Sequence, residues 1–241
     1  MLNSSELRGF ITGLILGDGT IDKGVTKRAF RIKSINYDFI HYIGECLRKA
    51  TNFKIEIKYH PASCRDGVYR KSYYELYIKA HPYFNKKYNH FYDDYRNRRV
   101  TKEALSWLNP RGLAAWYMSD GYIVRVGKHS GKIVDRRVEL ATDRYSERDV
   151  DKIRKYLYET YGFKTSKVRR GNGRYRIRMS LLSAQHFFVM IEPYVVPSMK
   201  YKINLDYDYR PKWMTDNYYE LMLRLRSAEA LTGNAEGQEI V

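Results

Sequence analysis

Two aspartates stand where this sequence is able to do chemistry. Asp18 and Asp120 lie 102 residues apart, each followed by glycine and each ending an apolar stretch rich in small residues. The stretches read Phe10-Ile-Thr-Gly-Leu-Ile-Leu-Gly-Asp18-Gly19 and Leu113-Ala-Ala-Trp-Tyr-Met-Ser-Asp120-Gly121. As helices, the first places Gly13 and Gly17 on one face and the second places Ala115 and Ser119 on one face. Small residues at that spacing let two helix backbones approach closely. Packed along these faces, the helices bring Asp18 and Asp120 side by side. Two adjacent carboxylates are costly unless a cation lies between them, and Mg2+ suits hard oxygen ligands. A metal held by two acids under a basic surface points to phosphodiester hydrolysis, in which it polarises the phosphate, generates a hydroxide and stabilises the leaving oxygen. A single Asp-Gly reads as a helix stop; the second copy, on a similar helix, is what points to a site.

The elements around these helices repeat one plan twice. Strand alternation shows in Ala29-Phe-Arg-Ile-Lys33 and in Arg174-Tyr-Arg-Ile-Arg-Met179. Amphipathic helices are predicted over Tyr37 to Ala50, buried through Phe39, Ile40, Ile43 and Leu47, and over Ser146 to Tyr161, buried through Val150, Ile153, Leu157 and Tyr161. Similar exits follow, Asn52-Phe53-Lys54 and Gly162-Phe163-Lys164. The order helix, two strands, helix, two strands, helix therefore occurs twice, as a pseudo-two-fold monomer. The halves are expected at 1–100 and 101–212, joined near Arg99 to Asn109, with a third segment at 213–241. A short helix is predicted there from Asn217 to Arg226.

Composition narrows the partner. The 241 residues hold 44 Lys or Arg against 27 Asp or Glu, a formal charge of +17: residues 1–226 carry +20, and the last fifteen, with three Glu and no Lys or Arg, subtract three. Such a surplus calls for a polyanion. With 44% hydrophobic residues the chain is expected to fold. The apolar run from Phe10 to Gly17 is too short to span a bilayer and lacks a signal-peptidase site, so no membrane association is expected. Cys46 and Cys64 are too few for a disulfide framework, and an intracellular chain with reduced thiols is expected. The six histidines show no zinc spacing, which leaves oxygen ligands for any metal. On the alternating strands the outward charged set comprises Arg31, Lys33, Lys54, Lys58, Arg137, Lys167, Arg169, Arg174, Arg176 and Arg178. Two-stranded ribbons of this kind fit the DNA major groove, where some arginines would read bases and others neutralise phosphates. Arg65 to Lys71 and Lys128 to Lys132 read as basic hairpin loops.

The paired stretches resemble the LAGLIDADG motifs of homing endonucleases. In the C-terminal half, Leu108-Asn-Pro-Arg-Gly-Leu-Ala-Ala-Trp-Tyr-Met-Ser-Asp120-Gly and Glu192-Pro-Tyr-Val-Val-Pro-Ser-Met-Lys-Tyr-Lys202 are similar to the single-chain, intron-encoded branch from yeast mitochondria. The resemblance covers roughly residues 8–205. It implies an α+β fold of duplicated αββαββα halves whose two antiparallel sheets form a saddle over DNA. It implies double-strand cleavage across the minor groove, leaving short 3′ overhangs, at a long asymmetric target. The metal would be held by Asp18 and Asp120 with the backbone of Gly17 and Ser119. Mg2+ is expected, with Mn2+ substituting and Ca2+ supporting binding without cleavage. A basic residue is implied beside each acid: Lys202 lies 82 residues after Asp120, and Arg99 lies 81 after Asp18, with Arg98 a close competitor. Leu16 and Met118 replace the first motif Asp, which is not the metal ligand, while Thr12 and Ala115 are small enough for the helix interface. The alternatives are an RNA maturase acting on host intron RNA, and a DNA-binding protein that does not cut. The chain is expected inside the cell, in cytoplasm or nucleoid, or in an organelle matrix if organelle-encoded.

Overall fold

The two aspartate-bearing helices cross at the middle of the structure, and both sheets are built outward from that crossing. The computed structural model describes residues 2–22, 28–65, 68–129 and 132–203, which belong to one compact unit. Helix α1 (Ser4–Leu16) starts on a capping box: the Asn3 side chain accepts from the Ser5 and Glu6 N–H groups, and Glu6 accepts from the Asn3 N–H at 3.0 Å. From Gly9 to Leu16 every residue is buried, as a helix apolar all round requires.

Its partner in the second half begins at a cap on Asn109 with Pro110 in the first turn, and every residue from Gly112 to Met118 is buried. This is the Pro110–Asp120 helix, α5 in chain order. The Asn109 amide also donates to Glu6 O at 3.3 Å, tying the two helix starts together.

The crossing is closer than the expected small faces require. A Cβ at Gly13 would lie 1.8 Å from Gly112 O, and one at Gly112 would lie 2.2 Å from Gly9 O. One at Gly17 would lie 2.6 Å from Ser119 Cβ. The seam therefore runs through Gly9, Gly13 and Gly17 of one helix and Gly112 and Ser119 of the other, with backbone against backbone at its tightest points.

Each half supplies a four-stranded antiparallel sheet. In the first, β1 (Thr20–Ile21), β2 (Phe30–Ser34), β3 (Ile55–His60) and β6 (Tyr73–Ile78) stand in the order β1-β2-β6-β3. A small extra hairpin, β4 (Ser63–Arg65) and β5 (Val68–Arg70), projects between β3 and β6. In the second, β7 (Gly121–His129), β8 (Lys132–Leu140), β9 (Thr165–Arg169) and β10 (Tyr175–Met179) stand in the equivalent order β7-β8-β10-β9. Helix α2 (Tyr37–Ala50) backs the first sheet, and α6 (Glu147–Tyr161) and α7 (Leu181–Ile191) back the second. Short helices α3 (Pro82–Phe91) and α4 (Lys102–Ser106) lead to the second half, and two 3-10 turns (Glu192–Tyr194 and Pro197–Lys202) follow α7.

The period-two and helical patterns resolve into one core. Phe30, Ile32, Leu76 and Ile78 of the first sheet are buried with Phe39, Ile40, Ile43 and Leu47 of α2. Val138, Leu140, Ile177 and Met179 are buried with Val150, Ile153 and Leu157 of α6. Tyr161 is only half-buried, because its hydroxyl reaches out to donate to Leu108 O at 2.8 Å. Burying each such aliphatic side chain contributes about 1.5–3 kcal/mol. No helix of the described residues is long and apolar enough to cross a membrane. The helix predicted at Asn217 to Arg226 and the segment 213–241 lie outside the described residues.

The crossing generates a stability prediction. Gly13→Ala places a methyl into the Gly112 carbonyl, which is backbone and has no rotamer to yield. It is expected to cost about 3 kcal/mol, and to lower the thermal midpoint by about 10 °C. Gly171→Ala, where nothing lies within 4 Å of the added Cβ, leaves the midpoint unchanged. Thermal unfolding of the two variants side by side checks this.

Candidate active site and nucleic-acid interface

Both acids emerge at the same end of the crossing. α1 stops at Leu16, and the Gly17 N–H still donates to Gly13 O at 3.1 Å. The chain then folds back so that the Gly19 N–H reaches Leu14 O at 2.7 Å, with Asp18 at the apex. A side chain at Gly19 would strike that carbonyl, so the glycine after Asp18 is a steric requirement of the turn. Asp120 is the last residue of α5, and its carbonyl accepts from Ala141 N–H at 3.0 Å. Gly17 and Ser119, the residues just before the acids, abut across the seam.

The electrostatics record the proximity. Burial pushes the Asp120 carboxyl up to about 6, and the negative charge of Asp18 adds to the rise, against opposition from Arg144, Lys202 and Arg98. A carboxylate made reluctant to ionise by its neighbour's charge is the donor set that a divalent cation suits. No group of three or more His, Cys, Asp or Glu able to hold a metal occurs among the described residues. A cation here would thus take its remaining ligands from carbonyls, water or substrate phosphate, which fits Mg2+ better than a cation needing an all-protein cage.

Each acid has a cation beneath it, held in matching fashion. Lys202, at the end of the Pro197–Lys202 turn anchored by buried Met199, donates from Nζ to Met118 O (2.6 Å) and Gly121 O (3.1 Å). Burial pulls the Lys202 ammonium down, while Asp120 and Asp18 pull it back up. Two of its three hydrogens are thereby used, leaving one. In the other half Arg98 donates from Nη1 to Ile15 O (2.7 Å) and from Nη2 to Gly19 O (2.5 Å).

Arg98 therefore takes the place that residue counting assigns to Arg99. The halves differ in length between acid and cation, with an extra hairpin in one and a longer β8–α6 connection in the other. A fixed count does not survive such differences, whereas the bond to the carbonyl of the glycine after each acid does. A tight turn aims Arg98: Asp93 accepts from the Asn97 N–H at 2.7 Å, Arg96 adopts a φ of 66°, and Tyr92 bridges Arg98. Arg99 lines a cleft with Asp93, Asp143 and Ser146, to which Arg98 and Arg144 also contribute, but only Arg98 bonds the carbonyls of the α1 end.

Arg144 is a cation that the sequence pattern did not single out. Its Nη2 lies 3.4 Å from Asp18 Oδ1, so the β8–α6 connection reaches across to the first half's acid. Next to it the buried Tyr145 hydroxyl lies 3.5 Å from both Ile15 O and Leu16 O. No periodicity marks this connection, because its residues are placed by the other half.

The sheet faces turned away from the helices carry most of the predicted cations. Register puts Arg31, Lys33, Lys54 and Lys58 on one face of the first sheet, and Arg137, Arg174, Arg176 and Arg178 on one face of the second. Lys167 and Arg169 are corrections. They pair with Ile177 and Tyr175, hence point to the helix side. Lys167 is bound there by Glu147 and, at 3.0 Å, by Asp151 of α6. Both residues of a one-step parity error go to the wrong face, and β9 has too few apolar residues to set its phase from sequence alone. The basic faces also hold acids that the charge count concealed. Arg31 meets Asp22 at 2.9 Å, Lys33 lies 3.8 Å from Glu75, Lys58 lies 3.3 Å from Glu56, and Arg176 meets Asp143 at 2.7 Å.

Comparison with known proteins places this geometry. The chain is 25% identical over 210 residues to the uncharacterized protein MJ1098 of Methanocaldococcus jannaschii, covering 86% of this chain and 77% of that one. It is 24% identical to the cytochrome b mRNA maturase bI2 of Saccharomyces cerevisiae, over 82% of this chain but only 47% of the maturase. It is 28% identical to the probable intron-encoded DNA endonuclease 3 of Mycosarcoma maydis, over 57% of this chain and 96% of the relative. The structure of the homing endonuclease I-WcaI bound to its DNA recognition sequence shares the fold, with a TM-score of 0.72 at 19% identity over 85% of this chain and 88% of that one. The model of the LAGLIDADG DNA endonuclease family matches residues 8–187, a span that takes in both crossing helices and both sheets, and the chain belongs to that family.

Proposed function

We propose that this protein is a site-specific double-strand DNA endonuclease that acts as a monomer and requires a divalent metal. The observation that carries this reading is the meeting of Asp18 and Asp120 at the glycine crossing, with the Asp120 carboxyl pushed up to about 6 by burial and by its partner's charge. Asp18, Asp120 and the backbone of Gly17 and Ser119 would hold Mg2+, with Mn2+ able to replace it and Ca2+ supporting binding without cutting. When bound, such an ion acts as a Lewis acid on the scissile phosphate and acidifies water.

The chain's own residues supply the rest. Arg98 and Lys202 hold the carbonyls around each acid in place and present positive charge where the pentavalent phosphorus develops negative charge. The two cation-bearing sheet faces lie over the major groove and bring the minor groove onto the paired acids, so that the two cuts leave short 3′ overhangs. A target bound by two non-identical halves is long and asymmetric. The intron-encoded endonuclease relative and the DNA-bound structural neighbour support this reading. The alignment with a maturase over 82% of the chain supports a second one, assistance to splicing of a host intron RNA. That activity would survive loss of either acid.

Cleavage of a library of long duplexes, with Mg2+ and with EDTA, tests the first reading; absence of any metal-dependent double-strand product sinks it. Asp18→Asn and Asp120→Asn are each expected to abolish double-strand cleavage while the duplex is still bound through the sheet faces, as a gel-shift measurement checks.

The cations make a separate prediction. Arg98→Ala is expected to slow cutting of one strand about 100-fold, whereas Arg99→Ala changes it little. Strand-specific end labels distinguish the two.

A pH prediction follows from Asp120. Its carboxyl in the metal-free fold stands at about 6 against an ordinary 3.8, so the fold disfavours the ionised form. Its contribution to stability is complete below the ordinary value and is lost as pH rises through about 6. Metal-free Asp120→Asn is therefore more stable than wild type at pH 8 and not at pH 3.5. Metal binding, which needs the carboxylate, weakens by about tenfold per pH unit below that value. Calorimetric titration of Ca2+ at several pH values measures it.

A further inference from the structure

A carboxylate on a DNA-binding face repels phosphates, so Glu139 needs a reason to be there. It lies in β8 on the face turned away from α6 and α7, opposite Tyr122 in β7 and Arg178 in β10. Its solvent exposure is 0%. Both oxygens are fully used. Oε1 accepts from Arg178 Nε (2.8 Å) and Nη2 (2.6 Å). Oε2 accepts from Arg170 Nη2 (2.9 Å) and from the Tyr122 hydroxyl. The Tyr122 oxygen in turn accepts from Arg176 Nη1 at 2.7 Å. Burial would push the Glu139 carboxyl up, but the Tyr122 and Arg178 donors outweigh it and hold it below the ordinary value.

The geometry leaves Arg178 with a defined free edge. Of its five N–H hydrogens, one on Nε and one on Nη2 are spent on Glu139. One on Nη2 and those on Nη1 remain, and these form the end-on edge that matches O6 and N7 of guanine. A guanidinium already fixed by its neighbours loses less side-chain freedom on binding, and a planar fork misaligned by a free rotation would not discriminate bases. A buried ion pair adds little stability over apolar packing, so fold stability alone is a poor account of the cluster.

We propose that Glu139 is a positioning residue for base recognition: it fixes the Arg178 guanidinium so that its free edge reads one guanine in the part of the target lying on the second sheet. This rests on the DNA-endonuclease reading above. The test selects binding sites from a pool of random-sequence duplexes in Ca2+, using the full chain as wild type, Glu139→Gln and Arg178→Lys. Wild type is expected to enrich a motif containing a guanine for which both variants lose preference about tenfold or more, at the same single position, while the rest of the motif persists. Glu139→Gln is also expected to bind unselected duplex at least as tightly as wild type, since a negative charge is gone; a merely structural role would weaken both. Arg178→Lys keeps the charge and lacks the fork, so it keeps the proposal open to refutation if Glu139→Gln does not fold. A motif that Arg178→Lys leaves unaltered, or a uniform loss of specific and non-specific binding in a folded Glu139→Gln, overturns the role of Glu139. No motif from wild type overturns the underlying endonuclease reading as well.

Discussion

The contact on which the structure depends is peptide backbone against peptide backbone where Gly13 meets Gly112 and Gly112 meets Gly9. No side chain separates the helices there, so their ends come close enough for the charge of Asp18 to act on Asp120. Any larger residue on the seam would move the helix axes apart and, with them, the carboxylates. Stability and chemistry thus rest on the same few atoms. The Asp120 carboxyl is raised first by its burial and then by the charge of Asp18, a cost to the fold that the close approach imposes.

Two-fold repetition organises everything around this seam, but it is approximate in ways that matter. The sheets keep the same strand order, and a cation sits under each acid on the carbonyls of the helix end. The identities differ: arginine in one half, lysine in the other. Arg144 adds a further cation beside Asp18, from the longer connection of the second half. A single chain is free to treat its two sites differently, as a symmetric dimer is not.

The basic faces are less simply basic than a net charge of +17 suggests. Glu139, Asp143, Glu75 and Glu56 lie among the cations, and several guanidinium groups are held in fixed orientation before any partner arrives. Net charge governs how strongly a polyanion is attracted, and is screened by salt. Which donors point where is a matter of local pairing, which net charge does not report.

Much of this was legible in the sequence because it depends on local periodicity. The helix from Tyr37 to Ala50 and its buried stripe follow from a 3.6-residue repeat, the exposure of Arg31 and Lys33 from a two-residue one, and the two acids from a motif that recurs. Tertiary structure alone decided what periodicity does not encode. Arg98 and not Arg99 caps α1, because insertions change residue counts between the halves while the carbonyl of the glycine after each acid keeps its cation. Lys167 turns to the helix side because β9 takes its phase from pairing with β10, not from its own composition. Gly9 and Gly112 matter through contact with each other across a hundred residues, and Glu139 through Arg178 on the neighbouring β10 and Arg170 just past the end of β9. Residue type and spacing specify which face a side chain prefers; only the packed chain specifies what it meets there.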